Sequence, residues 1–322
     1  MRAQRIESLD GPDGLRAAEI PEPQGAAAQL VIDVKAAGVS FPDVLMSRGL
    51  YQTKPPLPFV PGVEVAGTVR SAPANSGFAR GDRVMAVTML GGFAEVAQAP
   101  AAMTCHLPAR LGFEQGAGLI LNYHTAHFAL TRRAAVVAGE TVVVHGAAGG
   151  VGTATLQVAR ALGAEVVAIT SNPQKAEMAR TAGAGLVIDS GGDWAAEVRG
   201  LNGGRGADVI VDPVGGDRFD ESLRCLAPAG RLVVVGFTAG RIPTVAANRL
   251  LLRNISIVGA AWGAWLAVDP GLFSLTAEAL TPMIEAGQVV PLIGATFRLD
   301  QAADALRAIE QRRAIGKVVL AL

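Results

Sequence analysis

The pattern of hydrophobic and polar positions changes near residue 140. Up to about residue 120, short segments such as QLVIDVKAAGVS and GDRVMAVTM are strand-like and are framed by Pro and Gly. Such segments predict an antiparallel or barrel-like domain. From about residue 140, continuous apolar runs alternate with segments of helical periodicity. This alternation is typical of a parallel sheet that is covered by helices on both faces.

Six apolar runs in the second region predict six strands: TVVVHG, EVVAITS, GLVID, ADVIVD, RLVVVG and ISIVG. The segments between them predict helices: VGTATLQVARALG, PQKAEMARTAG, DWAAEVRGL and DRFDESLRCLAPAG. This order matches a doubly wound dinucleotide-binding fold. Helices are then expected near GLFSLTAEALTPMIEAG and DQAADALRAIEQRR, and the last strand, KVVLAL, is expected to return to the first domain.

Composition narrows the possible functions. A chain of 322 residues favours two domains. Its 28 basic and 28 acidic residues balance, so a nucleic-acid partner is not indicated. We find no apolar run of membrane-spanning length and no signal-peptide core, and the default expectation is a cytoplasmic protein without a membrane partner. The two cysteines and four histidines lack the spacing of a zinc site, so no metal is expected.

The turn AAGGVG follows a predicted strand and opens a predicted helix near Gly150. Aligned with the G-x-G-x-x-G fingerprint, Ala147 takes the first glycine position, Gly149 the second and Gly152 the third. The strand–turn–helix context favours a phosphate-binding turn over a plain turn rich in small residues. The candidate cofactor contacts here are Ala148, Gly149, Gly150, Val151 and Gly152.

The end of the next strand favours one dinucleotide. Thr170 and Ser171 stand where an acidic residue would hold the ribose of NAD. Asn172 and Pro173 suit the cap and first residue of a helix, which places Lys175 in its first turn. A cation is disfavoured there unless an anion lies opposite. The pattern predicts NADP rather than NAD, with an ordinary solvated Lys175 as the alternative.

Several longer stretches carry a family resemblance. AAGVSFPDVLMSRGLYQTKPPLPFVPGVEVAGTV, GGFAEVA, GETVVVHGAAGGVG, SNPQKAEMARTAGA and GKVVL occur in this order. The chain thereby resembles the zinc-free quinone oxidoreductases, the branch of the medium-chain dehydrogenases/reductases that includes ζ-crystallin. The resemblance implies a GroES-like catalytic domain over 1–122 and 291–322, and a Rossmann NADP-binding domain with a six-stranded parallel sheet over 123–290.

Departures from zinc-dependent relatives support that branch. Val63 stands where those relatives carry the histidine of a G-H-E motif, and Ser40 occupies the region where their first zinc cysteine is found. The resemblance therefore implies hydride transfer without zinc. Quinone reductases often have Asn at the position of Ser40. They also have a Tyr where this chain has Ser190, so the Tyr contact near the adenosine 2′-phosphate is in question.

The resemblance also implies residues of the catalytic cleft. Tyr51 and Thr125 fall where the family lines the nicotinamide; the Tyr51 phenol could donate a proton, wall the cleft or only pack a loop, and Thr125 could instead be an ordinary helix residue. Ser40 would lie beside the nicotinamide, although a capping box with Asp43 is a sufficient structural role.

Further cofactor contacts are implied near the ends of the chain. Gly236 and Phe237 are expected near the nicotinamide ribose. Lys317 and Arg312 lie in the returning segment, and Arg312 matches a basic residue near the 2′-phosphate in some relatives, with an ordinary surface Arg as the alternative. The strand NISIVGAA, last in the sheet, implies a homodimer through its edge.

The expected function is NADPH-dependent reduction of a quinone or related conjugated carbonyl. Two alternatives remain open. One is reduction of an enoyl-thioester or 2-alkenal double bond, which the same superfamily also catalyses. The other is a non-catalytic, structural NADPH-binding protein. Fold alone does not decide among them, because function depends on the site.

Overall fold

A computed structural model describes all 322 residues and divides them into two compact units. The first contains Met1–Leu121, Phe273–Thr281 and Val290–Leu322, and the second contains Asn122–Leu272 and Pro282–Val289. Residues 273–281 therefore lie with the first unit, outside the range predicted for it. No helix is long and apolar enough to cross a membrane.

The chain forms fifteen strands and eleven α-helices. The strands are β1 Arg2–Ile6, β2 Leu15–Glu19, β3 Gln29–Val39, β4 Glu64–Ser71, β5 Arg83–Val87, β6 Val96–Pro100, β7 Thr104–His106, β8 Thr141–Val144, β9 Glu165–Thr170, β10 Leu186–Asp189, β11 Ala207–Asp212, β12 Leu226–Val234, β13 Ser256–Gly259, β14 Ile293–Arg298 and β15 Lys317–Ala321. The helices are α1 Phe41–Ser47, α2 Phe113–Gly116, α3 Thr125–His127, α4 Gly150–Ala161, α5 Pro173–Thr181, α6 Trp194–Gly204, α7 Arg218–Cys225, α8 Asn248–Arg253, α9 Trp262–Trp265, α10 Leu272–Glu285 and α11 Ala302–Glu310.

The first unit is built on a seven-stranded sheet in the order β14-β15-β3-β4-β5-β7, with β6 also paired to β3. The last strand, β15, pairs antiparallel to β3 with Val318 opposite Val39, so the predicted return of the chain to this domain is confirmed. In the neighbouring ladder, Gly38 of β3 lies opposite Glu64 of β4. These two pairings bring the ends of three strands together.

The second unit contains a six-stranded parallel sheet in the order β10-β9-β8-β11-β12-β13. This is the strand order of a doubly wound dinucleotide-binding sheet, and each of the six predicted apolar runs contributes one strand. Its central strands are buried, with Val143, Ile169 and Ile210 in the core. The predicted Rossmann sheet is confirmed.

One predicted helix is too long. The segment DRFDESLRCLAPAG was expected to be helical throughout, but α7 ends at Cys225 and Leu226 begins β12. Pro228 has no backbone N–H, and Ala229 adopts a left-handed conformation with φ of 62°. A helix cannot continue through these two residues.

Candidate active site and cofactor-binding turn

The glycine turn between β8 and α4 is tightly packed. Gly146 has a positive φ of 57°, so it makes the left-handed turn after the strand. A Cβ on Gly152 would lie 2.3 Å from the Gly146 carbonyl oxygen and 2.7 Å from Ala147 Cα. Gly152 therefore allows the helix to approach the strand, as predicted. The tight turn is made by Gly146, one residue before the Ala147 that the alignment put in the first glycine position.

Gly149 differs from its neighbours. It caps α4 in an extended conformation, and a Cβ there would meet only the Gly146 oxygen, at an ordinary 3.5 Å. Nothing within the protein requires glycine at this position. The first bond into the helix runs from Thr153 N–H to Gly149 O at 2.8 Å, so the N–H groups of residues 150–152 have no intrahelical acceptor. Backbone N–H groups without an intrahelical acceptor, next to an unobstructed Gly149, fit a dinucleotide phosphate.

Gly150 is restricted by a side chain instead. A Cβ on Gly150 would lie 2.4 Å from the Asn122 amide nitrogen. Asn122 is itself buried. A larger residue at Gly150 would therefore displace this amide from the start of the helix. Asn122 was not among the predicted residues, because nothing in the local sequence links it to the turn.

The end of β9 carries the polar groups predicted to select the cofactor. Asn172 caps α5 by accepting from the Lys175 backbone N–H at 2.9 Å, which confirms the predicted cap. The Lys175 ammonium donates to Ser171 Oγ at 3.4 Å. Ser190 N–H donates to the Thr170 carbonyl at 2.7 Å. Four predicted contacts are thus brought together: Thr170, Ser171, Lys175 and Ser190.

A carboxylate that was not predicted lies in the same region. Asp189 ends β10 and pairs in register with Thr170. Its Oδ1 accepts from Gly191 N–H at 3.0 Å, and the residue is exposed. From the sequence, an acidic residue that selects the cofactor is expected only at the end of β9. Sheet register, rather than sequence distance, places this negative charge beside the predicted phosphate-binding groups.

The loops after β11 and β12 pack on each other. Asp212 Oδ1 accepts from the N–H groups of Val214 and Gly215 at 2.8 and 2.9 Å, which fixes the first loop. A Cβ on Gly215 would lie 2.8 Å from the Phe237 ring. Gly236 and Phe237 therefore lie at the carboxyl edge of the sheet, the edge at which doubly wound folds bind ligands.

His145 lies just before the turn and has a structural environment. Its Nε2 is 2.8 Å from Ser222 Oγ, and Trp194 packs edge-on against its ring. The Ser222 hydroxyl donates to the Arg218 carbonyl, so it accepts from His145. Burial lowers the pKa of His145 to about 4, which keeps the imidazole neutral at neutral pH.

In the first unit, three residues far apart in sequence form a buried polar cluster, which we call the Ser40–Glu64–Lys317 cluster. The Lys317 ammonium donates to Ser40 Oγ at 2.7 Å and to Glu64 Oε1 at 2.5 Å. Glu64 Oε2 accepts from Leu121 N–H at 2.8 Å. The side chains of Lys317 and Glu64 are only 4% and 1% exposed.

Gly38 makes room for this cluster. A Cβ at Gly38 would lie 2.6 Å from Glu64 Oε1 and 2.2 Å from the Ala117 carbonyl oxygen. The predicted contact of Lys317 with the cofactor stays a prediction. Its ammonium lies between Ser40 and Glu64, inside the first unit, because β15 pairs with β3 and carries Lys317 to the strand ends.

Asp43 lies beside the cluster and is fully buried. Its Oδ2 accepts from Ser40 N–H at 2.9 Å, which is the carboxylate contact of the predicted capping box, and its Oδ1 accepts from Gly62 N–H at 3.1 Å. Burial raises the pKa of Asp43 to about 7. The pKa of Tyr51 is also raised, by burial first and then by the negative charge of Asp43. Tyr51 is therefore a half-buried phenol near Asp43.

The two remaining predicted residues belong to different units. Thr125 lies in the second unit and is buried in α3, between π-helical stretches at Ile120–His124 and Phe128–Arg133. Such stretches are frequent at functional sites. Arg312 lies in the first unit just after α11, where it is exposed and left-handed with φ of 57°. Their predicted contacts with the cofactor stay predictions.

The structure contains no group of three or more His, Cys, Asp or Glu residues that could hold a metal ion. Val63 is buried and apolar next to Glu64. Ser40 Oγ and Glu64 Oε1 already accept from the Lys317 ammonium, and Glu64 Oε2 accepts from Leu121 N–H.

Comparison with known proteins identifies the family. Residues 26–109 match the alcohol dehydrogenase GroES-like domain, and residues 150–278 match the family described as zinc-binding dehydrogenase. Quinone oxidoreductase-like protein 2 of Mus musculus is 39% identical over 305 residues, which cover 94% of this chain and 87% of that protein. This chain belongs to the quinone oxidoreductase family.

Solved structures agree with membership of the quinone oxidoreductase family. The Escherichia coli quinone oxidoreductase complexed with NADPH has a TM-score of 0.91 and 28% identity, with 100% of both chains covered. The CurK enoyl reductase has a TM-score of 0.89 and 26% identity, with 99% of this chain and 98% of that chain covered. The predicted GroES-like and Rossmann folds are therefore confirmed.

Proposed function

We propose that this member of the quinone oxidoreductase family uses NADPH to reduce a quinone or a related conjugated carbonyl. The observation that carries the proposal is the polar, largely non-acidic end of β9. It lies next to a glycine turn in which no protein atom crowds Gly149. NADPH supplies a hydride when it is bound. In this proposal the N–H groups of residues 150–152 bind its pyrophosphate, and Thr170, Ser171, Lys175 and Ser190 bind its 2′-phosphate.

We further propose that the reaction does not use zinc. The argument concerns the side chains that could act as zinc ligands. Val63 supplies no imidazole, and the Lys317 ammonium already occupies the oxygens of Ser40 and Glu64 at 2.7 and 2.5 Å. A second cation at these oxygens would be repelled by the ammonium. Activity should therefore survive prolonged treatment with a chelator.

The remaining predicted contacts are part of the same proposal. Gly236 and Phe237 would lie along the nicotinamide ribose, Arg312 near the 2′-phosphate, and Tyr51 and Thr125 at the acceptor. The packing of the loop that carries Phe237 against Gly215, at the carboxyl edge of the sheet, supports the first of these. The half-buried phenol of Tyr51 supports a role as a wall or donor of the acceptor pocket.

A second candidate function is reduction of an activated carbon–carbon double bond. The similarity to the CurK enoyl reductase favours it. The two functions share the hydride donor and differ in the acceptor. They are separated by testing 1,4-benzoquinone and 9,10-phenanthrenequinone against crotonyl-CoA and a 2-alkenal.

We also propose a homodimer formed through β13. This strand is the edge of the parallel sheet and pairs only with β12. The preceding helix, α8, exposes Leu251 and Leu252 by 74% and 77%. Pairing of two β13 edges about a two-fold axis would satisfy the free edge and give each strand a partner. Sedimentation equilibrium at micromolar concentration tests this assembly.

The function is tested by following NADPH oxidation at 340 nm with each of the four acceptors. Dissociation constants of NADPH and NADH are measured on the same preparation. We expect quinone turnover, tighter binding of NADPH than NADH, and no loss of rate after chelation. Tighter binding of NADH would contradict the cofactor assignment. Tight NADPH binding without turnover of any acceptor would favour a non-catalytic NADPH-binding protein.

A further inference from the structure

Asn122 is a buried side chain whose amide makes no hydrogen bond with the rest of the protein. Only 5% of the residue is exposed. Removing an amide from water without giving it a partner costs free energy, and most buried polar side chains are hydrogen-bonded. Buried neighbours obey this rule: Tyr123 donates to Gln157 at 2.9 Å, and Thr155 donates to the Val151 carbonyl at 2.7 Å. Asn122 is therefore an exception that requires an explanation.

The Asn122 amide lies against the first residue of α4. A Cβ at Gly150 would lie 2.4 Å from Asn122 Nδ2 and 3.3 Å from its Oδ1, so the nitrogen is the nearer of the two polar atoms. Both residues belong to the second unit. The π-helical stretch Ile120–His124 carries Asn122, and such stretches are frequent at functional sites. The amide N–H donors thus lie at the start of α4, beside the N–H groups of residues 150–152.

The start of α4 attracts negative charge but has no cation of its own. Residues 134–159 include no Lys or Arg. Burial lowers the pKa of His145 to about 4, so this imidazole is neutral at neutral pH. An anion at this turn is therefore bound by neutral donors and by the helix dipole. The Asn122 amide adds up to two N–H donors of the same kind.

We propose that Asn122 Nδ2 donates a hydrogen bond to the pyrophosphate of bound NADPH, and that residue 150 is glycine because a side chain there would displace this amide. The inference rests on the proposed function, since it concerns the cofactor of that reaction. Bound NADPH supplies the partner that the protein does not provide. Asn122 is a binding residue in this scheme and moves no proton.

The first test replaces Asn122 by a residue of the same shape. Leu has the branching and the number of heavy atoms of Asn but no hydrogen-bonding group. Asn122→Leu should leave the melting temperature of the cofactor-free protein equal to or above that of the wild type, because it removes an unpartnered buried amide. The Kd of NADPH should rise by about tenfold to hundredfold, as expected for loss of a hydrogen bond to a charged group. Asn122→Asp should raise the Kd further, because it places a carboxylate beside the pyrophosphate.

The matched control is Gln157→Leu. Gln157 is also a buried amide of the second unit, on the same helix α4, but its oxygen accepts from the Tyr123 hydroxyl at 2.9 Å. Its loss leaves that hydroxyl without an acceptor. We expect the opposite result from this variant: a lower melting temperature and an unchanged Kd of NADPH.

Fragments of the cofactor test where Asn122 binds. Asn122→Leu should weaken binding of 2′-phospho-ADP-ribose, which contains the pyrophosphate, by the same factor as binding of NADPH. Binding of adenosine 2′-phosphate, which lacks the pyrophosphate, should not change. Weaker binding of NADPH with unchanged binding of 2′-phospho-ADP-ribose would overturn the assignment to the pyrophosphate.

A double-mutant cycle tests the role of Gly150. Gly150→Ala should raise the Kd of NADPH in the wild-type background, because its Cβ would displace the Asn122 amide. In an Asn122→Ala background the same change should have a smaller effect, because no amide is left to displace. Equal effects in the two backgrounds would show that Gly150 does not act through Asn122.

The outcomes separate this inference from the proposed function. Tight NADPH binding by the wild type with an unchanged Kd in Asn122→Leu would overturn the role of Asn122 and leave the proposed function intact. Absence of NADPH binding in the wild type would remove the proposed function itself. A lower melting temperature in Asn122→Leu, with a loss of affinity that Gln157→Leu reproduces, would show that Asn122 only supports the fold and would also overturn the inference.

Discussion

The glycine turn and the Ser40–Glu64–Lys317 cluster are built in opposite ways. The turn uses backbone groups from one continuous segment, and its specificity depends on missing side chains at Gly146, Gly149 and Gly152. The cluster uses side-chain charges from three segments that only the sheet pairing brings together. The comparison teaches that the glycine turn is encoded by neighbouring residues, whereas the buried cluster is encoded by the pairing of distant strands.

The largest effect is expected from unbalancing the buried ion pair. Lys317→Met alone should lower the free energy of unfolding by about 3–5 kcal/mol, because it leaves Glu64 buried and uncompensated. The double variant Lys317→Met/Glu64→Gln should recover most of that loss. Urea unfolding measures both. A double variant as unstable as the single one would show that the charges themselves stabilise the first unit.

Asp43 gives the first unit a pH dependence that the glycine turn lacks. The pKa of Asp43 is raised from 3.8 to about 7 in the folded state. The stability that protonated Asp43 contributes is therefore fully present below pH 4 and is lost as the pH rises through 7. Each unit of pKa difference corresponds to about 1.4 kcal/mol. Between pH 4 and 7 the free energy of unfolding of the wild type should therefore fall more steeply with pH than that of Asp43→Asn. Parallel curves would contradict the assignment.

Within the turn, alanine substitutions at two glycines should affect different properties, stability in one case and cofactor affinity in the other. Gly152→Ala places a Cβ 2.3 Å from the Gly146 carbonyl oxygen and should destabilise the second unit by about 1–3 kcal/mol. Gly149→Ala meets nothing closer than 3.5 Å, so its melting temperature should match the wild type while NADPH affinity falls about tenfold. Loss of stability in Gly149→Ala would remove the argument that a ligand explains this glycine.

The smallest effects concern cofactor choice. Lys175→Ala should reduce the preference for NADPH over NADH by about threefold, and Asp189→Asn should increase it slightly, because each changes the charge beside the proposed 2′-phosphate site. The ratio of the two dissociation constants, measured by fluorescence titration, reports this preference. A preference that is unaffected by Lys175→Ala would place the 2′-phosphate elsewhere.

The sequence predicted the six-stranded sheet, the glycine turn and the cap of α5 because these depend on local periodicity and on neighbouring residues. It misplaced the end of α7, where Pro228 and Ala229 stop the helix. Its alignment put Ala147, rather than the left-handed Gly146, at the first glycine position of the fingerprint. It did not reveal the pairing of Lys317 with Glu64, which are 253 positions apart. Only the register of β15, β3 and β4 creates that contact.

The most direct test of the account compares Gly149→Ala with Ser40→Ala in one experiment. NADPH binding and single-turnover reduction of 1,4-benzoquinone are measured for both variants. We predict that Gly149→Ala raises the Kd of NADPH and keeps the rate of the saturated enzyme, whereas Ser40→Ala keeps the Kd and lowers that rate. Variants that both change the Kd, or both leave the saturated rate intact, would contradict the division of cofactor binding and catalysis between the glycine turn and Ser40.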